Sequence, residues 1–334
     1  MTPPILLSRA AIDDQRWNRI IDQSGQSVVY GYSWYLDEVC NDWKALVWPS
    51  AEDYQIIMPL PVRRKWSIEV IQQPLFCQYL GLFSVLEISE FNLILFLEKV
   101  SSSYPYISSY HFHPDLSAIL NRVLRQFPKF EIKQNHTYCL SLEDPLSTIR
   151  SNYSSDRKMN LKRSEREKWI VEQSNNIIPL ITLFKKYHAS KIPGGVADVS
   201  YSILTALFKN LNLHKAAELF YILKEGKIHA GALFAKTGGK VLYLFNAADE
   251  TGRAGNARTF LLDYYFQLNT GKPFIFDFES PEKNSVSLFY KSFGARKMPY
   301  YSIRKNELPF PWKQIQNWRV SKALNTTEVP FGDS

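Results

Sequence analysis

Residues 242–296 constrain this chain more than any other stretch, because they read as strand, glycine-containing turn, helix, strand and helix in close succession. The apolar run 242–247 is strand-like, 251–256 supplies two glycines and an arginine at a turn, and 257–268 has helical spacing. This order sets a helix N-terminus, with its free N–H groups, beside the end of a strand. Phosphates and other anions bind at such ends. Residues 274–278 then read as a short buried strand, 285–293 as a helix and 300–304 as a closing strand.

The rest of the chain supplies the frame. Residues 33–41 and 90–101 have helical spacing, while 44–48, 55–63, 106–112 and 136–142 read as strands. Helices follow at 146–152, 156–171, 178–189 and 201–211. The strands 218–224, 227–236 and 240–247, joined by the turns Glu225-Gly226-Lys227 and Thr237-Gly238-Gly239, describe an antiparallel meander. A length of 334 residues suits two domains of ordinary size. The patterns predict an α/β fold with an N-terminal domain over 1–135, a C-terminal domain holding the site over 136–310, and a tail over 311–334.

Charge and cysteine use narrow the function. The net charge is +8 and the pI about 9.1, which suits a partner carrying phosphates: a nucleotide donor, RNA or an anionic membrane surface. Cys40, Cys77 and Cys139 lie far apart, so neither a disulfide framework nor a zinc site is expected, and a reducing cytoplasm fits. No stretch approaches the roughly 20 apolar residues of a membrane span. No metal is expected either, since the pair His111 and His113 lacks further ligands at suitable spacing.

Particular residues carry the chemistry. In Gly252-Arg253-Ala254-Gly255-Asn256-Ala257 a cation joins the N–H groups at a helix start, so this segment can hold donor phosphates or can simply be a turn. Asp277 and Glu279 flank Phe278 at a strand end, where alternation places both carboxylates on one face. A carboxylate with a raised pKa could take a proton from an amine; the plainer reading makes both caps or ion-pair partners. Lys291 could bind a donor phosphate as a compact charge. Lys158, Lys162 and Arg166 fall at i, i+4 and i+8, a basic stripe that is either a solvated face or a contact for RNA.

Taken together, the order of elements resembles the GNAT acyltransferase fold, and within it the tandem-domain Fem-type branch of peptidoglycan aminoacyltransferases. Three segments carry the resemblance: the loop from Gly252 to Ala257, the pair Asp277-Phe278-Glu279-Ser280 and Tyr290-Lys291-Ser292-Phe293-Gly294, and the strand Tyr138-Cys139-Leu140-Ser141-Leu142 before a basic helix. Gly252 stands where the family's loop usually has Gln or Arg. The long helical arm of some Fem-type enzymes has no counterpart. The resemblance implies two tandem GNAT-like domains, each a mixed, mostly antiparallel sheet flanked by helices. It implies a bacterial N-acyltransferase in which an amine attacks the donor carbonyl directly, with Glu279 as base and Tyr290 protonating the leaving group. The donor is acyl-CoA or aminoacyl-tRNA, and the acceptor a small-molecule or cell-wall-precursor amine. The contrasting class is a non-catalytic GNAT-like module that binds an anionic ligand or partner.

Overall fold

The computed structural model describes residues 2–65, 68–192, 194–280 and 284–318. The first half of the chain supplies β1 (Ile5–Ser8), β2 (Asp42–Pro49), β3 (Tyr54–Lys65), β4 (Ile68–Gln72), β5 (Phe83–Ser84), β6 (Tyr106–His111) and β7 (Glu131–Ser141). The second supplies β8 (Ile170–Gln173), β9 (Ala217–Lys224), β10 (Lys227–Thr237), β11 (Lys240–Ala248), β12 (Ile275–Asp277) and β13 (Arg296–Asn306). All lie in one sheet in the order β1-β2-β3-β4-β6-β13-β7-β12-β11-β10-β9-β8, with β5 attached to β3.

Read from either end, the sheet repeats one plan. An antiparallel meander leads to a parallel pair, β4 with β6 in the first half and β11 with β12 in the second. Parallel strands need a crossover, supplied here by helices Glu90–Ser103 and Ala257–Asn269. A helix and a long strand follow each pair: Ser117–Val123 with β7, and Asn284–Lys291 with β13. The two long strands pair with each other, from Arg296 opposite Cys139 to Arg304 opposite Glu131. They are also exchanged, for β13 lies against β6 and β7 lies against β12.

Apolar side chains on the two sheet faces build two cores. Helices Asp14–Gln23, Ser33–Val39, Ile178–Tyr187 and Asp198–Leu213 cover one face, with Trp17 against Trp43 at 5.1 Å between ring centres. On the other face of the second half, Leu261, Tyr265 and Phe266 of Ala257–Asn269 pack on Phe234, Tyr243 and Phe276. Removing one of these buried aromatic side chains costs about 3–5 kcal/mol.

Two sequence expectations change. The helix expected over 156–171 ends at Arg166; Lys168 takes left-handed backbone (φ 57°), and Ile170–Gln173 joins the sheet as β8. Trp169 explains the break, because its buried ring must turn in against the meander. The turn expected over 251–256 is instead a short helix, Glu250–Ala254, capped by Asp249. Of the expected tail, residues 319–334 lie outside the described residues.

Candidate functional site

Strands β11 and β12 are matched over only three residue pairs, Lys240/Ile275, Val241/Phe276 and Leu242/Asp277, and then part. β11 stays paired with β10 as far as Ala248, through a bulge that leaves Leu244 without an opposite residue. The N–H groups of β11 that point away from β10 beyond Leu242 therefore have no strand partner among the described residues. The bulge also resets side-chain alternation. Tyr243 faces the helix Ala257–Asn269, while Leu244 and Phe245 both turn to the opposite core. Asn246 turns back, and its Oδ1 accepts from Arg258 Nη1 at 3.3 Å.

Three buried groups gather at this opening. Glu279 sits two residues past the end of β12 in left-handed backbone (φ 47°). Its residue is partly exposed, but the carboxyl end is buried and Oε1 has no hydrogen-bond partner among the described residues. Burial alone pushes this carboxyl well above the ordinary glutamate range. The Tyr243 hydroxyl is likewise buried without a partner among the described residues. Tyr290 stacks on Phe278 at 4.7 Å, meets the Tyr243 ring edge-on at 6.2 Å, and feels the charge of Glu279. Burial raises its phenol to about 12, so it enters a reaction protonated.

Asp277 has a different part. Its Oδ2 accepts from the Tyr79 hydroxyl at 2.8 Å, and its Oδ1 accepts from Thr137 Oγ1 at 2.5 Å and from the Glu279 amide at 2.8 Å. Desolvation raises its pKa, opposed by these three hydrogen bonds. Alternation predicts both carboxylates on one face, but the left-handed turn at Glu279 ends it: both oxygens of Asp277 are bonded and it braces the site, while Glu279 Oε1 has no hydrogen-bond partner among the described residues.

The loop from Gly252 to Ala257 lies at the start of Ala257–Asn269, as predicted, but its glycines serve packing. A Cβ on Gly252 would stand 2.3 Å from the His229 carbonyl oxygen, and one on Gly255 would stand 2.4 Å from the Trp169 ring. The left-handed residue is Asn256 (φ 55°), and no side chain caps the helix there. Its first N–H groups therefore lack a side-chain acceptor among the described residues. Arg253 does not point to them: Nη1 donates to the Ala248 carbonyl at 3.0 Å.

The remaining expected residues lie apart. Lys291 is exposed, and no hydrogen bond or ion pair joins it to residues 252–257 among the described residues. Lys158, Lys162 and Arg166 all sit on the exposed side of helix Ser155–Arg166, with Lys158 Nζ donating to the Ser151 carbonyl at 2.7 Å. The neighbour they concealed is Arg157, which is buried. Its guanidinium donates to Ser292 Oγ at 2.9 Å and to Thr259 Oγ1, and stacks on Phe289 and Phe293. Desolvation lowers its pKa to about 10. In sequence Arg157 reads as one more cation of a basic helix; the signal that marks it is its i+4 and i+7 spacing to Leu161 and Ser164, the other buried residues there.

Asp277 also lines a cleft of about 750 Å³ between the halves, together with Tyr79, Cys139, Lys240 and Arg296. On its wall Lys240 Nζ lies 2.6 Å from His113 Nε2 and 3.2 Å from Asp115 Oδ2. Burial holds the His113 ring well below the usual histidine range, so it is neutral. Among the described residues no group of His, Cys, Asp and Glu is placed to hold a metal ion, and no helix is long and apolar enough to cross a membrane.

Comparison with models of protein families and with curated proteins finds no match. Solved structures do match. The chain is similar to FemX (TM-score 0.66, 11% identity, 92% of this chain and 98% of that one). It is also similar to L-PGS from Bacillus licheniformis (0.53, 12%, 92% and 96%) and to a tandem GNAT protein from the clavulanic acid biosynthesis pathway (0.51, 10%, 92% and 99%). At these identities the likeness establishes the fold: two tandem GNAT-like halves in the Fem-type arrangement.

Proposed function

We propose that this chain is an N-acyltransferase whose reaction centre is the parting of β11 and β12, with 1–135 and 136–310 as its two domains. The observation that carries the reading is the Glu279 carboxyl, buried and unpaired among the described residues, beside Tyr243 and Tyr290. A buried carboxylate without a cation is costly unless a ligand uses it.

An activated acyl or aminoacyl donor lies along the free edge of β11, its phosphates at the open start of Ala257–Asn269. The acceptor amine attacks the donor carbonyl, forming the N–C bond. N–H groups of β11 beyond Leu242 stabilise the oxyanion, each by about 3 kcal/mol at comparable sites. Glu279 takes the amine proton, directly or through water; the carbonyl carbon's bond to the donor sulfur or oxygen breaks, and Tyr290 gives its own proton to the departing thiolate or alkoxide. Returning the proton from Glu279 to Tyr290 closes the cycle.

The donor is an acyl-CoA or an aminoacyl-tRNA, and the acceptor is a small-molecule or cell-wall-precursor amine. Competition between the donors, read by mass spectrometry of the acylated amine, decides the class. A tRNA donor predicts a steep salt dependence and loss of activity on charge reversal at Lys158, Lys162 and Arg166. Intact donor after saturating incubation with varied amines overturns the enzyme reading in favour of a binding module.

A further inference from the structure

The cleft between the halves is a different place from the opening where β11 and β12 part. Besides Asp277 it takes in Gly238, Lys240 and Ile275, at or just before the start of those strands, whereas the opening follows Leu242 and Asp277. It also lies on the other face of the sheet. Its lining residues Lys240, Ile275 and Asp277 alternate with Val241 and Phe276, which pack on the side of helix Ala257–Asn269. A donor held at the start of that helix therefore does not fill it. Arg296, which begins β13, lines the cleft; Asn306 ends that strand roughly 30 Å away, so the segment after β13 begins far from it.

The charges around the cleft fall into two sets. The first set is balanced: Asp277 accepts its three hydrogen bonds, and Lys240 is paired with Asp115 and held by the neutral His113. The second set is not. Arg296, Glu143 and Asp144 all line the cleft and are exposed, and no hydrogen bond or ion pair joins their side chains to another described residue. Register keeps them from each other. Arg296 stands opposite Cys139, and Glu143 lies four residues further on, roughly 13 Å along the chain. Cys139, Ile275 and Met298 line the space as well and give it a largely apolar floor. Its volume of about 750 Å³ is that of a small-molecule site. A guanidinium fork on one wall pairs with a carboxylate, and carboxylates on the other wall pair with an ammonium.

We propose that this cleft binds a small zwitterion whose two charges are separated by an apolar spacer, its carboxylate at Arg296 and its ammonium at Glu143 and Asp144. The site is separate from the opening between β11 and β12 and does not depend on the acyltransferase reading.

The full chain is tested by calorimetric titration with ε-aminocaproate, caproate, hexylamine and glycine near neutral pH and at low salt. Wild type should bind ε-aminocaproate about tenfold or more tightly than caproate or hexylamine, each of which keeps one charged contact. Glycine, whose charges are adjacent, should bind no better than these. Arg296→Gln should weaken ε-aminocaproate about tenfold and leave hexylamine unchanged. Glu143→Gln with Asp144→Asn should weaken it similarly and leave caproate unchanged. Unchanged thermal midpoints in the variants show that folding is intact. Absence of ε-aminocaproate binding by wild type at millimolar concentration overturns the proposal, as does wild-type affinity in Arg296→Gln. Caproate binding more tightly than ε-aminocaproate overturns it in favour of a plain anion site, and equal binding of glycine overturns the separation of charges.

Discussion

The two halves of the sheet share one plan but differ where their parallel strands part. In the first half, Leu80 bridges to Phe112, and the Leu80 amide donates to the His111 carbonyl at 2.8 Å, so the segment after β4 fills the space. The crossover helix Glu90–Ser103 is closed by a capping box between Ser89 and Asn92. In the second half, among the described residues, the parting holds a carboxyl whose Oε1 is unpaired, and Ala257–Asn269 begins at Asn256 without a side-chain cap. A repeated scaffold thus keeps one opening and seals the other, and the sealed half braces the open one through Tyr79 and Asp277.

The sharpest break of that contrast is at Glu279. Glu279→Gln should reduce turnover by roughly 10²–10⁴-fold in an amine acylation assay, and Tyr290→Phe by a smaller factor. Wild-type rates in both remove the assignments. The raised carboxyl also marks stability. With the folded pKa above the unfolded one, the native state holds the extra proton, so stability falls as pH rises past about 4.3 and levels off above the folded value. Denaturant melts across pH should show that slope in wild type and a flatter one in Glu279→Gln.

Packing comes next. Gly252→Ala drives a methyl into the His229 carbonyl and should cost about 1–3 kcal/mol in denaturant unfolding. A neutral outcome means the loop moves more freely than its contacts indicate. Ser89→Ala removes the cap of the sealed half and should cost about 1 kcal/mol while leaving acyl transfer unchanged. The smallest change is the most discriminating. Asn256→Asp puts a carboxylate at an open helix start, so it should stabilise the fold by about 0.3–1 kcal/mol yet weaken donor binding, read by calorimetry. If both rise together, the donor's anion lies elsewhere.

How much of this was legible follows from the range of each interaction. The meander of β9, β10 and β11 and the helix after it rest on local periodicity and glycine turns, and these stand in the sequence. Glu279 and Tyr290 were named through motifs, and the structure brings them together with Tyr243. Tyr79 was hidden, because its bond to Asp277 spans 198 residues. Arg157 was hidden too, since a buried guanidinium held by hydroxyls and rings looks in sequence like one more surface cation. The pairing of β7 with β13 has no local signal at all.

That pairing has a consequence for the order of assembly. The slot between β6 and β7 is filled by residues 296–306, the last strand in chain order among the described residues. Until the ribosome has released them, the early half carries an unsatisfied edge of backbone N–H and C=O groups, an invitation to pair with another nascent chain. Folding of the first half is therefore tied to synthesis of the second, and the sheet is closed by the same strand that joins its halves.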